Sequence, residues 1–157
     1  MLRLIGVEPI TFGTEIQRSI QLSYKRIVKL TMIQPQTLLK VADNSGAKTV
    51  RCIKIPGGFK KRVAKLGDIV IVSVQQLRNK SKRTSKVKKK EVCKALIIRT
   101  KTSSNKATGL GLKFNNNAVV LINKQGNPIG TRIVGPIPKI LQTKTLQKFV
   151  SMATGLI

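Results

Sequence analysis

The apolar positions of this chain follow two periodicities that change over near residue 32. Within residues 1–31, Ile16, Ile20, Tyr24 and Ile27 recur at three- and four-residue intervals behind Thr14-x-x-Gln17, a capping-box arrangement that satisfies the first backbone N–H groups of a helix. That spacing predicts a helix. From Met32 onward the pattern becomes short runs rich in Val, Ile and Leu: Leu38–Ala42, Thr49–Ile55, Ile69–Val74, Val92–Thr100 and Ala118–Ile122. Asn44-Ser45-Gly46, Pro56-Gly57-Gly58, Gly67-Asp68, a basic loop and Gly126-Asn127-Pro128 punctuate them. These are turn formers and the runs are strand formers. Five strands without intervening helices predict a small closed β-barrel, because closure removes the unpaired edges that short aliphatic strands otherwise expose. Near the end, Leu146, Phe149, Val150 and Ala153 stand at i, i+3, i+4 and i+7, the apolar face of a terminal helix. Pro136 and Pro138 mark an irregular or single-turn stretch before it. The predicted fold class is mainly β: an N-terminal helical extension over 1–31, a five-stranded β-barrel over 32–125, and a C-terminal loop and helical segment over 126–157.

Composition decides whether such a chain folds at all. Apolar residues make up 41% of it, enough to bury a core, which a disordered polycation lacks. With four Phe, one Tyr and no Trp, the apolar content is aliphatic. Reading single-stranded bases on a platform of exposed rings is therefore disfavoured against backbone and shape contacts. The longest apolar run, Ala118–Ile122, is far too short for a membrane-spanning helix.

Charge then points to the partner. Thirty-one Lys and Arg face five carboxylates and no histidine, a net charge of +26 that repels itself unless a polyanion neutralises it. Nucleic acid is the expected ligand. The acids Glu8, Glu15, Asp43, Asp68 and Glu91 are scattered, and no two fall within one helical turn of each other. General acid–base catalysis has little to work with, so the chain reads as a binding protein and not an enzyme. Cys52 and Cys93 lack a CxxC spacing and a histidine, so they read as free thiols with no metal, and no cofactor is expected.

The charge is concentrated. Between Arg78 and Lys90, in RNKSKRTSKVKKK, eight of thirteen residues are basic and none is acidic. This segment is predicted to be a loop that touches RNA, with Lys82, Arg83, Lys86, Lys88, Lys89 and Lys90 as phosphate contacts. A second group, Lys60, Lys61, Arg62 and Lys65, follows Gly57-Gly58, where a backbone free of side chains can approach a phosphodiester closely. The Gly46-Ala47-Lys48-Thr49 string lacks the earlier glycine and the Gly-Lys pair of a phosphate loop, and nucleotide binding there is rejected.

Several separated strings, in order, resemble the universal large-subunit ribosomal protein family number fourteen, in a bacterial or organellar form. They are Met32-Ile33-Gln34-Pro35-Gln36-Thr37, Ala42-Asp43-Asn44-Ser45-Gly46-Ala47, the Val63–Val70 segment with Gly67-Asp68, and Gly130-Thr131-Arg132-Ile133-Val134-Gly135-Pro136. Between them stand Ala95-Leu96-Ile97-Ile98, Phe114, Asn117, Val120 and Leu121 at the family's spacing. The resemblance spans Met32 to Ile157. It implies a five-stranded barrel with a C-terminal helical portion, bound to large-subunit rRNA at the subunit interface, where it helps form a bridge to small-subunit rRNA. Implied neighbours are large-subunit proteins numbers nineteen and three, and the family is a docking point for a ribosome-silencing factor. By position, the resemblance implies RNA contacts at Lys48, Arg51, Lys60, Lys61, Arg62, Lys86 to Lys90, Arg99, Lys101, Lys113 and Arg132. The chain departs from the family in Thr108-Gly109, in the longer basic loop from Arg78 to Ser85, and in Pro138-Lys139-Ile140-Leu141 and Ala153-Thr154-Gly155, which replace acidic residues.

Residues 1–31 stand outside the resemblance and carry five basic and two acidic residues. They read either as a targeting sequence or as a retained extension, the glutamates favouring the latter. The extension and the richness in Lys, Ile and Asn point to a mitochondrion, with a plastid or a bacterial cytoplasm as alternatives. The function expected is a structural constituent of the large ribosomal subunit; an RNA-binding regulator outside the ribosome is the alternative.

Overall fold

The computed structural model describes residues 33–59, 61–78, 85–105, 109 and 111–157. The helical extension expected over 1–31 lies outside them, as do Lys60, Lys82 and Arg83. Strands β1 (Leu38–Val41), β2 (Ala47–Lys54), β3 (Ile69–Leu77), β4 (Val92–Arg99) and β7 (Ala118–Ile122) close into a barrel in the order β1-β2-β3-β4-β7. Each of the five coincides with an expected strand to within three residues. A further pair, β5 (Ser104–Asn105) and β6 (Gly111–Leu112), forms a separate two-stranded ribbon.

Neighbouring barrel strands are antiparallel except at the closing seam, where β1 runs parallel to β7 through Lys40↔Ala118 and Val41↔Val119. Register shifts in β2 between Ala47 and Thr49, Thr49 and Val50, and Cys52 and Lys54 supply the bends a small barrel needs.

Burial explains why Ala95–Ile98 of β4 and the whole of β7 read as unbroken apolar runs. Residues alternate in and out along a strand, so Val50, Val70, Val72, Ala95, Ile97, Val119 and Leu121 fill the barrel. The opposite faces of β4 and β7, carrying Leu96, Ile98, Ala118, Val120 and Ile122, are covered by Ile133, Ile137, Leu141 and Phe149 of the C-terminal segment. Both faces are dry, so polar alternation disappears from the sequence.

That C-terminal segment is less helical than its periodicity predicts. Two 3-10 turns, Lys139–Leu141 and Lys144–Leu146, precede α1, a single turn over Gln147–Val150. Phe149 is buried as expected, but Ala153 is not helical: it bridges Ile133 in parallel. Backbone pairing wins over helix propagation there. The Ile133 N–H donates to the Met152 carbonyl at 2.9 Å, and the Ile137 N–H to that of Gly155 at 3.0 Å, so the chain leaves the helix to run beside 133–137.

Candidate nucleic-acid interface

The Asp43-Asn44-Ser45-Gly46 turn links β1 to β2, and its polar side chains face protein. Asp43, wholly buried, accepts from the Ser45 N–H at 2.9 Å and from the Ser45 hydroxyl, while its second oxygen accepts from the Leu121 N–H at 2.8 Å. Asn44 Oδ1 accepts from the Thr131 N–H at 2.7 Å and its Nδ2 donates to Thr131 Oγ1 at 2.8 Å. The turn is a clasp that pins 130–133 to the barrel. It holds Arg132 exposed beside it.

The other two carboxylate side chains among the described residues, Asp68 and Glu91, are also used internally. Asp68 Oδ2 accepts from the Lys65 N–H at 2.7 Å and pairs with Lys61 Nζ at 3.1 Å. Glu91 accepts from the Lys88 N–H at 2.7 Å, closing the turn before β4. Residues 32–157 contain 26 basic residues against these three acids. Among the described residues Lys61–Asp68 is the one ion pair, so the basic surface is left uncompensated by protein.

Arg99 and Arg132 aside, the expected contacts among the described residues separate into four groups. Lys48 and Arg51 are exposed on the outer wall of β2. Lys61, Arg62 and Lys65 occupy the connection between β2 and β3, where Gly57 and Gly58 adopt φ of 113° and 129°, a turn closed to other residues. At the opposite end, Lys86, Lys88, Lys89 and Lys90 precede β4 and are exposed. Lys101 and Lys113 are exposed beside the β5–β6 ribbon.

The basic loop is better anchored at its C-terminal part than its composition predicts. Val87, the one apolar residue in the run, is 2% exposed and belongs to the barrel core. The Lys86 N–H donates to the Ser45 carbonyl at 3.0 Å, Lys86 Nζ to the Ile129 carbonyl at 3.1 Å, and the Lys90 N–H to that of Val74 at 2.8 Å. The turn presents its lysines on a fixed frame.

Arg99, like Lys61 and Lys86, is partly engaged within the fold. It is half-buried, and its Nη2 donates to the Val134 carbonyl at 2.8 Å; its buried Nε has no hydrogen-bond partner. Burial lowers the guanidinium's pKa. Part of its hydrogen-bonding capacity is therefore spent within the fold.

Four further side chains outside the sequence expectations are exposed on the barrel and its loops. Lys40, Lys54 and Lys94 are exposed on β1, β2 and β4, and Lys54 and Lys94 flank Ile71 across β3. The alternation Leu39-Lys40-Val41 was the available signal for Lys40. Phe59, beside Gly58, is 92% exposed. A phenyl ring between a Gly-Gly turn and a basic run carried the same signal.

Cys52 and Cys93 are both free thiols, as read from spacing. Burial raises the pKa of Cys52, and burial with the carboxylates of Glu91 and Asp43 raises that of Cys93 to about 11. Neither is a reactive thiolate at neutral pH. A family model described as ribosomal protein L14p/L23e matches residues 32–157, the whole of the barrel and its C-terminal segment.

Proposed function

The chain belongs to the ribosomal protein L14p/L23e family and is a structural constituent of the large ribosomal subunit; on that premise we propose that it binds large-subunit rRNA mainly through phosphate contacts, at the subunit interface. One observation carries the reading. All three carboxylates of residues 32–157 are hydrogen-bonded inside the fold, while Lys48, Arg51, Arg62, Lys65, Lys88, Lys89, Lys90, Lys101, Lys113 and Arg132 are exposed. A surface of that kind requires an external polyanion. Backbone neutralisation positions a protein on RNA without reading its sequence, which suits a structural constituent.

The finer assignments follow the same logic. The anchored turn at Lys86–Lys90 and the glycine-flanked loop at Lys61–Lys65 lie at opposite ends of the barrel, so one molecule can meet two RNA segments, as a bridge to small-subunit rRNA requires. Large-subunit proteins numbers nineteen and three are the proposed protein neighbours. The C-terminal segment, which exposes Ile140, Leu156 and Ile157, is the proposed surface for one of them or for a ribosome-silencing factor. Residues 1–31, with a net charge of only +3, are proposed to be a helical extension that meets protein, and the ribosome is proposed to be mitochondrial.

Sedimentation of an extract at moderate salt tests the core of this reading. The chain is expected in the large-subunit fraction; recovery in light fractions alone would overturn it in favour of a regulator outside the ribosome.

A further inference from the structure

The parallel seam between β1 and β7 opens into a cleft of about 410 Å³ that the phosphate reading leaves unused. Three cations line it, Lys40 from β1, Arg78 from the end of β3 and Arg99 from the end of β4, together with Phe114, Asn115 and Asn116. No carboxylate is among the lining residues.

The lining is held in place. Arg78 lies near the Val41 carbonyl, at 3.4 Å from its Nη2, and its N–H donates to the Gly46 carbonyl at 2.9 Å. Arg99 is tethered to Val134, and its Nη1 lies so close to Gly135 that a side chain at that glycine would collide with it. The Phe114 N–H donates to the Thr100 carbonyl at 3.1 Å, one residue beyond Arg99, and Asn117 Oδ1 accepts from the Lys101 N–H at 2.8 Å. The backbone of Phe114 is thus held at the strand end that carries Arg99.

Each chemical element has a use in one kind of ligand. Three cations without a carboxylate call for an anion. A half-buried phenyl ring offers an apolar plane, and two exposed amides offer donors and acceptors. Inorganic phosphate would use the cations alone; an acidic peptide would leave the plane unstacked. A nucleotide uses all three, and the volume falls in the range of sites that enclose small ligands. We infer that this cleft holds a single unstacked nucleotide, its base against Phe114 and its phosphate among Lys40, Arg78 and Arg99. The inference rests on the RNA-binding reading, and the nucleotide is a bulged residue of the bound RNA.

The test compares two RNA hairpins, one fully paired and one differing only by a single-nucleotide bulge, titrated with the full-length chain. The bulged hairpin is expected to bind about tenfold more tightly, the scale of one stacked base. Phe114→Leu and the double variant Asn115→Ala/Asn116→Ala, each checked by its thermal melt, should bind the two hairpins equally and hold the paired one as the unmodified chain does. The double variant, on exposed positions, decides the matter if Phe114→Leu melts early. Equal binding of both hairpins by the unmodified chain, or a parallel loss of both in the variants, overturns the cleft and leaves the phosphate reading standing. Binding to neither hairpin overturns both readings. Uridine monophosphate that displaces the bulged hairpin at micromolar concentration would assign the cleft to a free nucleotide, against the inference.

Discussion

The carboxylate of Asp43 and the backbone N–H of Leu121 meet at 2.8 Å in a wholly buried position, joining the turn after β1 to the middle of β7. The same carboxylate takes the N–H and hydroxyl of Ser45. A buried carboxylate satisfied by protein donors organises the barrel seam at a point where β1 and β7 share only two paired positions.

Replacing Asp43 with Ala should therefore cost more than a surface acid. It strands two buried N–H donors, each worth about 1–3 kcal/mol, and the expected loss is about 3–5 kcal/mol. Asp43→Asn retains one acceptor and should lose roughly half as much. Denaturant unfolding of the two variants checks the order; equal stability with the unmodified chain would remove the clasp from the account.

A second test of the clasp comes from Gly130, where a Cβ would stand 2.8 Å from Asp43 Cβ and 2.9 Å from Asn44 Oδ1. Both atoms are short-tethered and cannot swing aside. Gly130→Ala is expected to destabilise by about 1–3 kcal/mol, through overpacking. It should also speed amide exchange at Thr131, whose N–H is held by Asn44.

The five barrel strands were legible because β-branched runs and glycine turns coincide, and Ala95–Ile98 of β4 and all of β7 stand out since both their faces are buried. The β5–β6 ribbon was not, for Ser104-Asn105 and Gly111-Leu112 carry almost no apolar periodicity. The C-terminal helix is present but shorter than its periodicity: the spacing of Leu146, Phe149, Val150 and Ala153 is helical, but pairing of Ala153 with Ile133 is a long-range contact that local periodicity cannot register. In the candidate interface, charge density identified the basic loop, whereas the role of Val87 depends on a barrel interior that only closure creates. The cleft at the seam was equally hidden, because Lys40, Arg78 and Phe114 converge from distant parts of the sequence.

Val87 and its flanking lysines should separate stability from binding. Val87→Ala removes a core side chain and is expected to cost about 2 kcal/mol of folding stability. Lys88→Ala with Lys89→Ala touches nothing buried and should leave the melting temperature unchanged. That double variant should flatten the dependence of log affinity on log salt by about 1.5, the loss of two phosphate contacts. An unchanged slope would remove these lysines from the RNA surface.

Thiol chemistry offers a pH test. The Cys93 pKa, raised by burial and by the carboxylates of Glu91 and Asp43 to about 11, leaves about one thiol in a thousand ionised at pH 8. Alkylation of Cys93 in the folded chain should rise tenfold per pH unit and level off only near pH 11, not near 9. Because the folded pKa lies above the unfolded value of 9.0, the stabilisation linked to this thiol is complete below about pH 9 and is lost as pH rises through about 11. Early levelling of the alkylation rate would contradict the assigned environment.

Asp68 competes with phosphate for Lys61. Its Oδ2 holds both Lys61 Nζ at 3.1 Å and the Lys65 N–H at 2.7 Å. In Asp68→Asn the amide oxygen can still accept from Lys65, so the turn before β3 survives, while the ion pair is lost. A partly exposed pair of this kind is worth about 0–1 kcal/mol, and the variant should melt close to the unmodified chain. Its RNA affinity should rise, because one negative charge leaves the basic surface and Lys61 becomes available to a phosphate. The salt dependence should steepen by about 0.7–0.9, one further contact. Weaker binding with an unchanged melt would mean that Asp68 holds Lys61 in its productive position instead of withholding it, and titration of RNA at several salt concentrations distinguishes the two.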